Sequence, residues 1–462
     1  MAMAPTEATH ARSTGSRYLK LRCGVRGPNG LSRDQVVQNQ RTRLFEAMVE
    51  FTATGGYQRT TVPAVCSLAG VSTKHFYKLF PAAQPVDLPS PKEACFLGAY
   101  DFVVDRAKSR IKDAYEDEQE PNRRLCRAFE QFAWEASNEP FAAQFALVET
   151  FGAGPRAMQR MERGREIFRG MIAASINAAG SGGEEVSEAV VRGIVGGVER
   201  VTRLYLREGR IGEFESTADE LSEWVSSYRA WSPPAHATAA SRRLAPRAAR
   251  SAGKNEGLRI LRAAAAIAAS DGYCGLSAAR IIRLAGVSEE TFASLYNGAT
   301  AIEDCFLAGF DLLGAEALVC GARASRAAGG WPDGVRSGIT ALLDHVARHP
   351  FLGRVAFIEV FSVGPSAIER RSTLLRRFAD LFVKRIPDSQ RPSELIAEAI
   401  VGGIWALIRD CVVRGQVHRL HELADDATYL ALTPVVGHDA AVQLILGDGK
   451  SVRPGRDLRH VG

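Results

Sequence analysis

The sequence predicts an all-α protein, on three observations. Apolar residues recur at three- and four-residue spacing, as at Leu44, Met48 and Phe51 and again at Ile260, Ala264 and Ile267. The period-2 alternation of a half-buried strand is missing. Gly and Pro break the pattern at Gly55-Gly56, Pro140, Gly154-Pro155 and Gly180 to Gly183, so each stretch between breaks reads as a short or medium helix.

Composition agrees with a globular chain: 462 residues, 46% hydrophobic and 24% charged, enough for about three domains. The longest run of apolar side chains, Ala263 to Ala269, lies between Arg262 and Asp271, far short of the ~20 residues of a bilayer span. Met1 to Gly30 carries scattered Arg and Pro without an apolar block, which argues against a secretory signal there. Eight cysteines (Cys23, Cys66, Cys95, Cys126, Cys274, Cys305, Cys320, Cys411) form no C-x-x-C pair and read as small buried thiols in a reducing cytoplasm. A net charge of +6 permits a nucleic-acid partner without requiring one.

The chain is written twice. Gly56-Tyr57 recurs 216 residues on as Gly272-Tyr273, and Ala69-Gly70-Val71-Ser72 recurs at the same offset as Ala285-Gly286-Val287-Ser288. Cys95-Phe96-Leu97 returns 210 residues on as Cys305-Phe306-Leu307. Glu149-x-Phe151-x-x-Gly154-Pro155 answers Glu359-x-Phe361-x-x-Gly364-Pro365 at that offset, and Ile194-Val195-Gly196-Gly197 matches Ile400-Val401-Gly402-Gly403 at 206. Matches that keep their order along both halves predict a tandem duplication of a unit of roughly 200 residues.

This divides the chain into a basic N-terminal arm (1–38), a first reading domain (39–100), a first helical domain (101–231), a linker (232–255), a second reading domain (256–312), a second helical domain (313–436) and a tail (437–462). The arm carries Arg12, Arg17, Lys20, Arg22, Arg26 and Arg33 against a lone Glu7 before Asp34, and the linker carries Arg242, Arg243, Arg247, Arg250 and Lys254 with no acid. Two readings stay open for both segments: solvated chain, or basic arms lying along phosphates.

In the first reading domain, Thr61 is placed to cap a helix with Pro63 in its first turn. That helix ends near Leu68, and Ala69-Gly70-Val71 makes a tight corner where Gly tolerates the geometry. Ser72 caps a third helix, Thr73 to Phe80, in which Phe76 and Leu79 point inward. Thr73, Lys74, His75, Tyr77 and Lys78 then face outward, a polar and basic helix end suited to a major groove. The competing reading is the surface helix of an ordinary bundle, and Ala-Gly-Val-Ser alone would not displace it.

The wider constellation does. Asn39-Gln40-Arg41 leads into a helix, followed by Gly56-Tyr57, Thr60-Thr61-Val62, Ala69-Gly70-Val71-Ser72, Phe76-Tyr77-x-x-Phe80 and Lys92-Glu93-Ala94-Cys95-Phe96. From about Gln40 to Tyr100 this closely resembles the TetR family of bacterial transcription regulators, and the leader is similar to that of members with a basic arm. The resemblance implies two tandem TetR-like units, each a three-helix helix-turn-helix domain followed by a helical ligand-binding and dimerisation domain. It implies a double-stranded DNA operator as partner, read by the third helix, with Tyr77 and Lys92 on phosphates. Thr61, Ser72, Thr73, Lys74, His75 and Lys78 complete the expected contacts; Arg26 and Arg41 are secondary. Ser90 and Pro91 read as N-cap and first residue of the fourth helix, whose free N–H groups plus Lys92 would suit a phosphate. The segment Pro81 to Pro91 is longer than the family's two-residue loop.

In the second copy the folding signals persist while the DNA-facing chemistry does not. Glu289 and Glu290 replace Thr73 and Lys74, Ala293 and Ser294 replace Tyr77 and Lys78, and Ile302 replaces Lys92. Two acids in a first turn suit the helix dipole and repel phosphate. Thr300-x-x-Glu303 reads as a capping box. Arg280 and Arg283 are either further backbone contacts or a solvated face. The second unit is therefore expected to be a degenerate reader serving structure and sensing.

The family pairs subunits through a four-helix bundle, and the two Ile-Val-Gly-Gly motifs fall in the corresponding helix. The linker, as flexible coil, spans roughly 25–30 Å. Two arrangements are open: an intramolecular pseudo-dimer on an asymmetric or single half-site, or a homodimer on a palindrome. Aromatics Phe129, Phe132, Trp134, Phe141, Phe145, Phe151, Phe351, Phe357 and Phe361 read as core, or as walls of the apolar effector pocket that the resemblance implies. An enzyme is the competing class: His345-x-x-x-His349 and His418-x-x-His421 are close pairs, but neither belongs to an H-E-x-x-H motif, and no phosphate loop, dinucleotide motif or nucleophile elbow is present. No metal or cofactor is expected. A third class, a ligand-sensing co-regulator without DNA binding, conflicts with the basic face of the first copy.

Overall fold

A computed structural model describes residues 32–82, 88–179, 185–233 and 255–447. The described residues are helical, joined by turns and short 3-10 segments, and include no strand, so the all-α expectation holds. Arg26, with nearly all of the arm and linker, lies outside them. The chain divides into two compact units, up to Val103 and from Val104 onward.

The first unit contains α1 (Arg33–Gly55), α2 (Val62–Ala69), α3 (Thr73–Leu79) and the start of α4 (Pro91–Asp117). α1 begins at a capping box: Ser32 Oγ accepts from the Gln35 N–H at 3.2 Å and Gln35 Oε1 accepts from the Ser32 N–H at 2.8 Å. The expected arm, 1–38, therefore runs too far, because its basic residues masked the Ser-x-x-Gln signal. Leu44, Met48, Val65, Phe76, Cys95 and Phe96 are all fully buried, one or more from each helix. The 3.6-residue spacing read from α1 is thus the spacing of its core face.

The second unit holds a helical domain, α5 (Pro121–Asn138), α6 (Pro140–Leu147), α7 (Pro155–Ala178), α8 (Glu188–Arg207) and α9 (Ala218–Ser226). It continues with a second three-helix head, α10 (Glu256–Asp271), α11 (Ala278–Ala285) and α12 (Glu289–Leu295), followed by α13 (Ala301–Ala327). The remainder is α14 (Trp331–Arg348), α15 (Pro350–Arg354), a π-helical turn at Val355–Glu359, α16 (Val360–Val363), α17 (Pro365–Val383), α18 (Glu394–Val413), α19 (Ala424–Val436) and α20 (His438–Leu446).

The centre of this unit is the packing of α8 on α18. Both Ile-Val-Gly-Gly motifs lie in it, and their glycines are where the backbones touch. A Cβ added at Gly196 would fall 2.2 Å from the Ala406 Cβ, and one at Gly403 would fall 2.6 Å from the Gly193 carbonyl oxygen. α9 and α19 extend the contact: the Tyr228 hydroxyl donates to the Leu430 carbonyl at 2.8 Å, and Tyr429 stacks on Trp231 with centroids 4.5 Å apart. Arg200 crosses from α8 to Glu398 on α18 at 2.8 Å and donates to Ser372 Oγ at 2.7 Å. The phenylalanines of the two Glu-x-Phe motifs, Phe151 and Phe361, stack at 4.3 Å with their planes 14° apart. The pairing of the two motif-bearing helices is thus made within one chain.

Several expectations need correction. Part of the expected tail, 437–462, is α20, packed on α19 with His438 Nδ1 2.7 Å from the Tyr429 hydroxyl. Thr300 makes no capping box: its backbone (φ −98°, ψ 2°) is not the extended conformation a cap requires, and its hydroxyl donates to Asp304 at 2.8 Å. Trp134 is 37% exposed instead of core. α13 is long and apolar enough to cross a membrane, although half of that stretch is buried inside the fold. The second head is not a compact unit of its own, for Glu359 accepts from the Tyr273 N–H at 2.9 Å and binds it to the bundle.

Two stability predictions follow from this packing. Gly196→Ala or Gly403→Ala forces atoms into occupied space and should cost about 1–3 kcal/mol in urea unfolding. Gly170→Ala, on α7 with nothing within 4 Å of the new Cβ, should instead stabilise by about 0.5–1 kcal/mol. Equal effects at the three sites would contradict the close-approach argument. Asp426 is 5% exposed, its Oδ1 has no partner among the described residues, and burial raises its carboxyl to about 6. The folded state therefore keeps this proton to higher pH than the unfolded chain, near 3.9, so its contribution falls between about pH 4 and 6 and stays low above. Asp426→Asn should gain on the order of 2 kcal/mol at pH 7 and nothing at pH 4; parallel pH profiles of variant and parent would rule this out.

Candidate nucleic-acid interface

The reading head of the first unit is assembled from local capping and one long-range clamp. Thr61 Oγ1 accepts from the Ala64 N–H at 3.4 Å and starts α2, with Pro63 in the first turn. α2 ends at Gly70, whose φ of +61° is the left-handed conformation that favours glycine. The Arg43 guanidinium reaches across from α1 and donates to the carbonyls of Ala69 and Gly70, the latter at 2.8 Å. A Cβ at position 70 would sit 2.6 Å from the end of that guanidinium, which would have to shift.

Ser72 then caps α3, its Oγ accepting from the His75 N–H at 3.3 Å and lying 2.9 Å from His75 Nδ1. Phe76 is fully buried and packs on Phe80 with centroids 5.1 Å apart, which fixes the rotation of α3. Ser72, Thr73, Lys74, His75, Tyr77 and Lys78 are consequently all exposed, with Tyr77 at 51%. Leu79 is half-buried. Arg41 on α1 is exposed, as is Arg59 in the turn before α2, a cation that the sequence reading passed over. The outward face of α3 thus offers Lys74 and Lys78, with no acid among its residues.

Lys92 differs from the expectation of a free cation. Ser90 does cap α4, accepting from the Glu93 N–H at 3.2 Å, and Lys92 does lie in the first turn. Its ammonium, however, donates to the Tyr57 carbonyl at 2.7 Å and rests over the Tyr57 ring, 4.1 Å from the centroid. Burial lowers its pKa. The unusual length of 81–91 does not displace the residue; the Gly56-Tyr57 turn holds it. An ammonium has three N–H donors, so this anchoring leaves capacity for a phosphate oxygen.

The second head repeats the scaffold with different chemistry. Ser288 caps α12 from the Thr291 N–H at 3.0 Å, Gly286 ends α11 at φ +62°, and Phe292 is buried. Its exposed face carries Glu289, Glu290, Ala293 and Ser294, together with Leu284 and Leu295 at 58% and 52% exposure. Arg280 is engaged locally, donating to the Gly275 carbonyl at 2.7 Å and pairing with Asp271, with its side chain 39% exposed. Arg283 is exposed. Of the histidine pairs, His345 and His349 lie with rings 4.6 Å apart, and His349 Nδ1 is 2.9 Å from the His345 carbonyl oxygen.

Arg43→Met should remove the clamp on the α2–α3 corner at a cost of about 1–2 kcal/mol. Hydrogen exchange should accelerate over residues 66–76 and stay unchanged over α10 to α12; uniform acceleration would show that Arg43 is not a local clamp.

No family model matches the chain, and no curated protein does. Among solved structures it is similar to the fatty acid degradation regulator FadR from Bacillus halodurans, at 12% identity and a TM-score of 0.35, over 40% of this chain and 96% of that one. It is similar also to a transcriptional regulator FadR from Bacillus subtilis in complex with stearoyl-CoA, at the same identity and TM-score, over 40% of this chain and 97% of that one. A likeness at this level assigns no function.

Proposed function

We propose that the chain is a TetR-like, sequence-specific DNA-binding transcription regulator that carries two such units in tandem and reads its operator with the first. The observation that carries this reading is the contrast between two similarly capped heads: α3 turns Lys74, His75, Tyr77 and Lys78 to solvent, whereas α12 turns out Glu289 and Glu290. Cations on a helix of this size attract phosphates and carry base-contacting groups into a major groove, and carboxylates at the same place repel the duplex.

The proposed mechanism gives α3 the base edges, with Thr73, Lys74, His75 and Lys78 as readers. Thr61, Ser72 and Tyr77 touch the sugar-phosphate backbone, and Lys92 contributes a remaining N–H to a phosphate while Tyr57 holds it. Arg41 is the secondary contact, and Arg283 is the one exposed cation of the second head in this set. The α8–α18 contact favours an intramolecular pseudo-dimer, so one chain engages one half-site. An apolar small-molecule effector, bound in a helical domain, shifts the population toward a state with weaker DNA affinity.

Selection of genomic fragments with the full-length protein, followed by binding titrations at several salt concentrations, tests this reading. Lys74→Ala should lose affinity at least tenfold with altered sequence preference, and Lys92→Ala should weaken all sequences alike and lower the salt slope by about 1. Footprints should cover one half-site per chain. A monomer that protects two symmetric half-sites, about 34 Å apart, would overturn the single-half-site version, and unchanged affinity in Lys74→Ala would remove α3 as reader.

A further inference from the structure

The second helical domain contains a cavity between α13, α14, α17 and α18. It encloses about 90 Å³ and opens to solvent at its mouth. Ile339, Phe378, Phe382 and Ile404 are among its apolar walls. Two polar side chains in the lining do not fit an empty apolar hole. Arg385 makes no hydrogen bond or ion pair with a described residue, and its buried Nε–H has no partner. Trp405 is 7% exposed, and its buried indole N–H has no partner among the described residues. Leaving such donors unmade costs about 1–3 kcal/mol each, more for a charged group, so they point to an acceptor that arrives with a ligand.

The backbone makes room for this chemistry. A Cβ at Gly334 would lie 3.0 Å from Arg385 Nη2 and 2.9 Å from the Ser325 carbonyl oxygen, so glycine there lets the guanidinium lie along α14. Trp405 is held by its ring, whose centroid lies 4.1 Å from that of Phe357 and 5.5 Å from the Arg371 guanidinium above it. Its N–H is therefore presented by a fixed wall. Both orphan groups are donors and one is a permanent cation, which selects for an anionic acceptor and against an ammonium.

We propose that this cavity binds an apolar carboxylic acid, its hydrocarbon body among Ile339, Phe378, Phe382 and Ile404 and its carboxylate on Arg385, with the Trp405 N–H as a second donor to ligand oxygen. The proposal rests on the regulator reading and deepens it: sensing is placed in the half whose own head carries acids, and the effector is given a chemical class.

Full-length protein is titrated by calorimetry, without DNA, with three ten-carbon probes: decanoate, decanol and decylammonium. Decanoate should bind at least tenfold more tightly than decanol, and decylammonium most weakly. Arg385→Met should abolish the preference for decanoate over decanol while decanol still binds, which shows an intact cavity, and Arg385→Lys should restore part of the preference. Equal binding of the three probes, binding of none, or a preference that survives in Arg385→Met would overturn the proposal. Because no duplex is present, acid-selective binding would stand even if Lys74→Ala left DNA affinity unchanged, so the two readings fail separately.

Discussion

Everything in the second unit is arranged around helices that approach as closely as backbones allow. At α8 and α18 glycines meet backbone, the Ala406 Cβ and the Arg200 stem, and an added Cβ at Gly196, Gly197, Gly402 or Gly403 would come within 2.6 Å of a neighbouring atom. Dispersion at such distances is collectively large, and the absence of side chains leaves no rotamer entropy to lose. It also fixes register: Arg200 meets Glu398 and Tyr228 meets Leu430 only when the glycines are aligned. The flanking aromatic stacks and hydroxyl bonds are consequences of that alignment.

Next to this apolar seam lies an unusual concentration of charge. Burial would raise the Glu199 carboxyl, but Arg165 and Arg203 outweigh it and hold it down to about 2. At the corresponding position of the second motif stands Trp405, and Arg371 beside it has aromatic faces, Phe361 at 5.1 Å and Trp405 at 5.5 Å, in place of a carboxylate. Burial and the neighbouring arginines push the Arg371 guanidinium well below its ordinary range. The stacked Phe151 and Phe361 rings accept cations from both sides, with Arg203 and Arg409 over Phe151. One acid-to-indole difference between the two motifs thus puts a wall of the apolar cavity where the first motif has an ion pair.

Much of this was legible in the sequence, and what was legible was local. Thr61, Ser72 and Ser288 cap where Ser and Thr before a helical run should, and Gly70 and Gly286 terminate α2 and α11 in the conformation that glycine supports. The exposure of Lys74, Tyr77 and Lys78 followed from the burial of Phe76, a matter of helical period. What escaped depends on tertiary partners. Arg43 reads as one more basic residue of α1 until α2 brings two carbonyls to it. Lys92 looks like a free ammonium because its partner is a carbonyl thirty-five residues away, and Arg280 looks available because Asp271 is separated from it by a turn. The cavity residues Phe378, Phe382 and Trp405 were not among the aromatics singled out, since spacing along a helix does not say which of two buried faces meets a void.

The intrachain seam has a genetic consequence. In an assembly of identical subunits every substitution is made twice, so a change that improves one role is imposed on both copies. Here the two helices of the seam lie in one chain, so α8 and α18 can each change without the same change being imposed on the other. Such a molecule can carry acids on one head and a cavity in the bundle beside it while its other head carries lysines.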